Sequence, residues 1–191
     1  MELYPELGDA YVPDSGPMSR SRSAEAEAFA GAPIHPLIAA KLWENPCWLS
    51  FRINYLALRF NVPVYERIAE RHALSRPEYV VLYSLFLRDG IAATDVCATA
   101  GFPKNTISRS IHKLVRRRLV RRSVDATDRR SFVLHLTAEC RRILDESVPP
   151  MVAHEKRMLS GLSHSEQETL SRLLAKLVVD SPDWPTEQNR E

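Results

Sequence analysis

The sequence predicts a mainly α-helical protein carrying one small β-wing. Three observations lead there. Apolar residues recur at helical spacing through most of the chain from Cys47 to Val179. Ser, Thr, Pro and Gly stand where helices should start and stop. Only Leu119–Leu136 offers two β-prone runs around a turn-rich polar tip.

The elements follow in order. Residues 1–33 are rich in Pro, Gly, Ser, Ala and acids, with little apolar periodicity, and read as a flexible N-terminal arm. A short apolar piece runs from Ile34 to Trp43. From Cys47 to Ala73 the pattern is one long helix, with Leu49, Ile53, Leu56 and Phe60 in a row that needs burial, by packing or by a partner chain. Pro63 lies inside it and should kink it. Ser75 or Arg76 caps the next helix, with Pro77 at its first position and Val81, Leu82, Leu85 and Phe86 inward. Ile91–Ala93 suits a brief strand. Thr94 suits a cap for a helix over 95–100, and Gly101 the left-handed residue that closes it.

The run Gly101 to Val115 organises the rest. Pro103 suits a first helical position. Ile107, Ile111, Leu114 and Val115 fall on one face of the helix it starts. The other face carries Lys104, Asn105, Ser108, Arg109, His112 and Lys113, with no carboxylate. Such a helix fits a DNA major groove, and it also fits an ordinary solvated surface. A short helix, a Gly-Phe turn and this helix make a helix-turn-helix. The hairpin from Leu119 to Leu136, with its tip at Asp125–Arg130, is then a wing. Thr137 caps a long helix from Ala138 to about Ser160, interrupted at Pro149–Pro150. Ser163 and Glu166 form a capping box for a last helix reaching Val179, with Leu170, Leu173, Leu174, Leu177 and Val178 on one face.

Charge sharpens the picture. The net charge of +2 hides a basic module. Residues 104–130 hold ten of the 26 Lys and Arg and two of the 24 Asp and Glu, a local +8 against −6 for the remainder. That asymmetry points to a polyanion partner. There is no apolar run of membrane length and no signal-peptide pattern, so a cytoplasmic protein is expected. Three scattered cysteines make neither a disulfide framework nor a zinc site. The chain lacks the phosphate-binding and metalloprotease motifs, and its six His are scattered. An enzyme is not expected, nor a cofactor or metal.

The helix order, the pairing of the Pro103 helix with Leu119-Val120-Arg121-Arg122, and the wing Asp128-Arg129-Arg130 followed by Val133-Leu134-His135-Leu136-Thr137 together resemble the MarR (multiple antibiotic resistance regulator) family over roughly residues 46–179. The resemblance implies a winged helix-turn-helix transcriptional regulator: a homodimer on double-stranded DNA, commonly a repressor at a pseudo-palindromic operator. It divides the chain into an arm (1–33), first helices for dimerisation (34–74), a DNA-binding domain (75–136), C-terminal dimerisation helices (137–180) and a tail (181–191). It puts the major-groove positions on Lys104, Asn105, Thr106, Ser108, Arg109 and Lys113. A minor-groove arginine falls on Arg129 or Arg130, with Asp128 bracing the wing against an arginine such as Arg121 (Arg116 to Arg118 would lie near phosphates). The family often has Gly where this chain has Cys140, which leaves the start of that helix open.

Family members are often released from DNA by aromatic acids or their thioesters. Trp48, Arg52, Tyr55 and Arg59 form one stripe on the first long helix, two flat rings alternating with two guanidinium groups, and Tyr83 could join them. Packing by snorkelling arginines would produce the same stripe. Cys47 stands at the helix start used by peroxide-sensing members, but Phe51 and Asn61 replace their supporting tyrosines. Cys97 reads as core. Two alternatives stay open: redox sensing through Cys47, and a winged-helix interaction module without DNA binding.

Overall fold

A computed structural model describes residues 34–125 and 132–181. The arm, the wing tip 126–131 and the tail from 182 lie outside the described residues. The chain forms two compact units that divide at Pro63, inside a helix.

The first unit contains α1 (Pro36–Trp43) and the first part of α2 (Trp48–His72). The Nδ1 of His35 caps α1 by accepting the amide of Leu37 at 3.2 Å. α2 continues unbroken through Pro63. Pro63 has no amide hydrogen to donate to the carbonyl of Arg59, which belongs to an exposed residue. The single chain does not bury the apolar row of α2: Leu49, Ile53 and Leu56 are exposed, and only Val64 and Ile68 are buried.

The second unit holds the rest. α3 is Arg76–Leu87, β1 Ile91–Ala92, α4 Ala93–Thr99 and α5 Lys104–Arg116. β2 is Val120–Val124, β3 Phe132–Leu136, α6 Ala138–Met158 and α7 His164–Asp180. The three strands form an antiparallel sheet in the order β1-β3-β2. Its register sets Ile91 opposite Leu134 and Arg122 on the other side of the same residue. This is the expected mainly α fold with a small β-wing and a winged helix-turn-helix.

The core lies where α3, α4, α5, α6 and the sheet converge. Val81, Leu82, Leu85, Val96, Ile107, Leu114, Leu134, Cys140 and Leu144 are fully enclosed. Burying side chains of this size stabilises by roughly 1.5–3 kcal/mol each, before entropy is counted. Tyr79 is enclosed too, and its hydroxyl shares a 2.8 Å hydrogen bond with the Ser147 hydroxyl on α6.

Several local expectations are corrected. Pro103 is the cap and not the first helical residue: its ψ of 136° is extended, and its carbonyl accepts the Thr106 amide at 2.8 Å. Thr94 lies inside α4. The cap is Ala92, whose backbone is already extended because it pairs with Val133 in the sheet. Phe86 is exposed, with its ring against Tyr83. Cys97 is only half-buried, while its neighbour Val96 carries the core. α6 is not interrupted at Pro149–Pro150. The carbonyls that lose partners belong to the exposed Asp145 and Glu146.

Other signals hold. Gly101 has φ +67° and closes α4. Thr137 caps α6 by accepting the Cys140 amide, and Ser163 with Glu166 forms the capping box of α7. Cys140 is enclosed, and burial pushes its thiol up to about 12.

Candidate nucleic-acid interface

α5 is built to present one face. Ile107, Ile111 and Leu114 pin it to the core, and Ser110 turns its hydroxyl back onto the Thr106 carbonyl at 2.9 Å. The opposite arc exposes Lys104, Asn105, Arg109, His112 and Arg116, with Thr106 and Ser108 half-exposed. Lys104, Arg109 and Arg116 make no hydrogen bond or ion pair with a described residue, so their charges stand ready for an outside anion.

Lys113 differs. Its ammonium lies 2.9 Å from Glu78 Oε1 at the start of α3, and Glu78 is almost wholly enclosed. Glu78 Oε2 accepts the amide and the hydroxyl of Ser75, both at 2.7 Å. Burial would push this carboxyl up. The two Ser75 bonds and Lys113 outweigh it and hold the carboxyl below its ordinary value.

The basic triplet after α5 also divides. Arg116 is exposed on the outer arc. Arg117 donates to the carbonyls of Ala73 and His72, at 2.8 and 2.9 Å, closing the end of α2. Arg118 takes a left-handed φ of 59° that turns the chain into β2.

The wing is rooted by a residue that sequence reasoning missed. Asp89, in the turn between α3 and β1, accepts the Leu136 amide at 2.8 Å through Oδ1. Its Oδ2 lies 3.3 Å from both His135 Nδ1 and Arg141. His135 Nε2 meets the Ser123 hydroxyl at 3.0 Å, so one imidazole joins the α3–β1 turn to β3 and β2. Burial raises the Asp89 carboxyl, but the Leu136 amide, His135 and Arg141 together hold it low. Gly90 is needed there. Its φ is +78°, and a Cβ would come within 3.2 Å of the His135 ring. Asp128, Arg129 and Arg130, expected at the wing tip, lie outside the described residues.

The expected ligand stripe is partly engaged by its own unit. Arg52 stacks between Trp43 and Trp48, at 5.1 and 4.8 Å from the ring centres, and donates to the Leu42 carbonyl. Arg59 lies over Tyr55 at 5.9 Å. Tyr83 belongs to the other unit, between the rings of Tyr79 and Phe86. Cys47 is exposed just before α2. Among the described residues no cluster of His, Cys, Asp or Glu could hold a metal, and no helix is long and apolar enough to cross a membrane.

This geometry matches known proteins. The model of the MarR family fits residues 73–131. The transcriptional regulator HosA of Escherichia coli O127:H6 is 30% identical over 105 residues, which cover 55% of this chain and 78% of that protein. The chain belongs to the MarR family. A crystal structure of a MarR family regulator from Silicibacter pomeroyi superposes with a TM-score of 0.58 at 27% identity, over 69% of this chain and 91% of that one. Bordetella bronchiseptica BpsR, 25% identical, superposes with a TM-score of 0.53 over 66% of this chain and 98% of its own. As a MarR protein the chain is a DNA-binding transcription regulator. Its relatives are regulators, not enzymes.

Proposed function

We propose that this MarR protein is a ligand-responsive repressor that binds a pseudo-palindromic operator as a homodimer. The observation that carries the reading is the outer arc of α5: cations and short polar groups, no carboxylate, on a helix locked from behind. Lys104, Asn105, Thr106, Ser108 and Arg109 are assigned to the major groove. Asp128, Arg129 and Arg130 are assigned to the wing, with an arginine in the minor groove, where narrow A·T-rich width attracts it. Lys113 is near the groove but already paired with Glu78. Two copies would set half-sites about one helical turn apart.

The dimerisation region is assigned to the helices flanking the winged domain. Apolar rows on α2 and α7 that the single chain leaves exposed support this. The effector is proposed to be an aromatic acid or its thioester, held on the stripe Trp48, Arg52, Tyr55 and Arg59. Trp48 and Tyr55 supply the flat rings of that stripe and Arg52 and Arg59 its cations, with Arg52 already stacked on Trp43 and Trp48. In the similar BpsR of Bordetella bronchiseptica, DNA binding is regulated by 6-hydroxynicotinic acid, an aromatic acid of this kind.

The test is selection of bound duplexes from a randomised pool. A pseudo-palindromic consensus is expected. Arg109→Ala should cost about 1–3 kcal/mol on that duplex and much less on unrelated DNA. Equal losses on both would remove Arg109 from base reading. Calorimetry with 6-hydroxynicotinate, repeated on Arg52→Ala, tests the effector stripe: binding that survives the substitution would rule it out.

A further inference from the structure

The recognition helix carries a row of exposed cations, and the structure separates them by their partners. Lys104, Arg109 and Arg116 lie on the exposed arc and make no hydrogen bond or ion pair with a described residue. Lys113 and Arg117, four residues apart and so on one flank, are also exposed, but each is held by a protein partner. Lys113 meets the enclosed carboxylate of Glu78 at the N-terminus of α3. Arg117 takes two carbonyls, of His72 and Ala73, at the end of α2. We propose that Lys113 and Arg117 are positioning residues: they fix the angle at which α5 projects from α3 and α2, and they do not serve as phosphate contacts.

Each group has little to gain by leaving its partner. Glu78 is almost fully enclosed, and Lys113 is the only cation among the described residues paired with it. If Lys113 swung out to a phosphate, a buried carboxylate would lose that partner, which is costly. Arg117 satisfies carbonyls that the end of α2 leaves open, beside Ala73, whose φ of +50° is unfavourable for a non-glycine residue. Releasing Arg117 would undo that closure. The apolar face of α5 sets its depth in the core. The two partnered cations set its rotation and tilt, because one holds it against α3 and the other against α2. The basic run therefore splits by work: the cations without a protein partner meet DNA, and the partnered ones aim the helix.

The inference rests on α5 being the groove-facing helix, and the experiment separates the two ideas. It uses the full-length protein and the duplex that it selects from a randomised pool. Affinity is measured across salt concentrations for Lys113→Gln, Arg117→Gln, Glu78→Gln and Lys104→Gln, with an unrelated duplex alongside. A lost phosphate contact lowers the salt slope by about one and weakens both duplexes alike. Lys104→Gln should behave that way. Lys113→Gln and Arg117→Gln should keep the slope and lose affinity for the selected duplex about tenfold more than for the unrelated one.

Glu78→Gln gives the decisive sign. If Lys113 positions the helix, this substitution weakens binding to the selected duplex, and Glu78→Gln with Lys113→Gln together cost no more than either alone. If Lys113 is a phosphate contact restrained by Glu78, the substitution frees it and binding tightens. Tighter binding, a slope lowered by about one in Lys113→Gln or Arg117→Gln, or unchanged affinity in both would overturn the proposal. Arg109→Ala with unchanged binding would instead overturn the assignment of α5.

Discussion

The carboxylate of Asp89 accepts the amide of Leu136 at 2.8 Å and also faces His135 and Arg141, so one side chain ties the start of the sheet to its last strand and to α6. Leu136 is buried. Removing the acceptor leaves its amide unpaired, at a cost of about 1–3 kcal/mol. Asp89→Ala should lower the urea midpoint accordingly. Asp89→Asn keeps an acceptor and should recover most of the loss. Equal destabilisation by both would mean that the charge, and not the amide bond, holds the wing.

Acid should loosen the same two anchors. Asp89 and Glu78 both titrate below their ordinary values. A depressed folded value contributes stability that is complete above the ordinary carboxylate range, near about pH 4, and is lost as pH falls through it toward the folded value. Unfolding midpoints measured from neutral pH down to about pH 3 should fall steeply. The fall should be shallower in Glu78→Gln, which has already lost its share. An identical pH profile in that variant would contradict the assignment.

The three thiols should react in order of exposure. Cys47 is exposed, Cys97 half-buried and Cys140 enclosed with its thiol pushed up to about 12. Only the thiolate attacks alkylating reagents. Iodoacetamide under native conditions should label Cys47 first and leave Cys140 until the protein is unfolded, as mass spectrometry of digests would show. Early labelling of Cys140 would mean that the α6 packing opens readily.

α7 tests the assembly. Leu173, Leu174 and Val178 lie exposed on it in the single chain. Leu173→Asp should weaken self-association by about tenfold or more in sedimentation, through a charge placed in an apolar interface. Unchanged association would take α7 out of the interface.

Much of this was legible in the sequence because local physics dictated it. The helices of the second unit follow from apolar spacing, and Thr137 and the Ser163–Glu166 pair cap as their chemistry requires. The face of α5 needed only a 3.6-residue period. The wing root was not legible. Asp89 and Leu136 are far apart in sequence, and no pattern in a linear chain joins a turn acid to a strand amide. The division of the basic run was hidden for the same reason: Lys113 and Arg117 look like their neighbours until Glu78 and the end of α2 are placed beside them. Small shifts at caps, as at Pro103 and Thr94, came from extended residues borrowed from the sheet or the turn.

Ala73 and Arg118 carry a last consequence. Both hold left-handed backbone, at φ 50° and 59°, in the turns that follow α2 and α5. An L side chain there costs about 1–2 kcal/mol relative to a freely turning residue. The fold thus retains two sites at which a glycine would be the more comfortable occupant, both next to contacts of Arg117. Tolerance to heat and precision of aim are set at the same joint. A variant selected for thermal endurance at Ala73 or Arg118 would be altering the mounting of α5 at the same time.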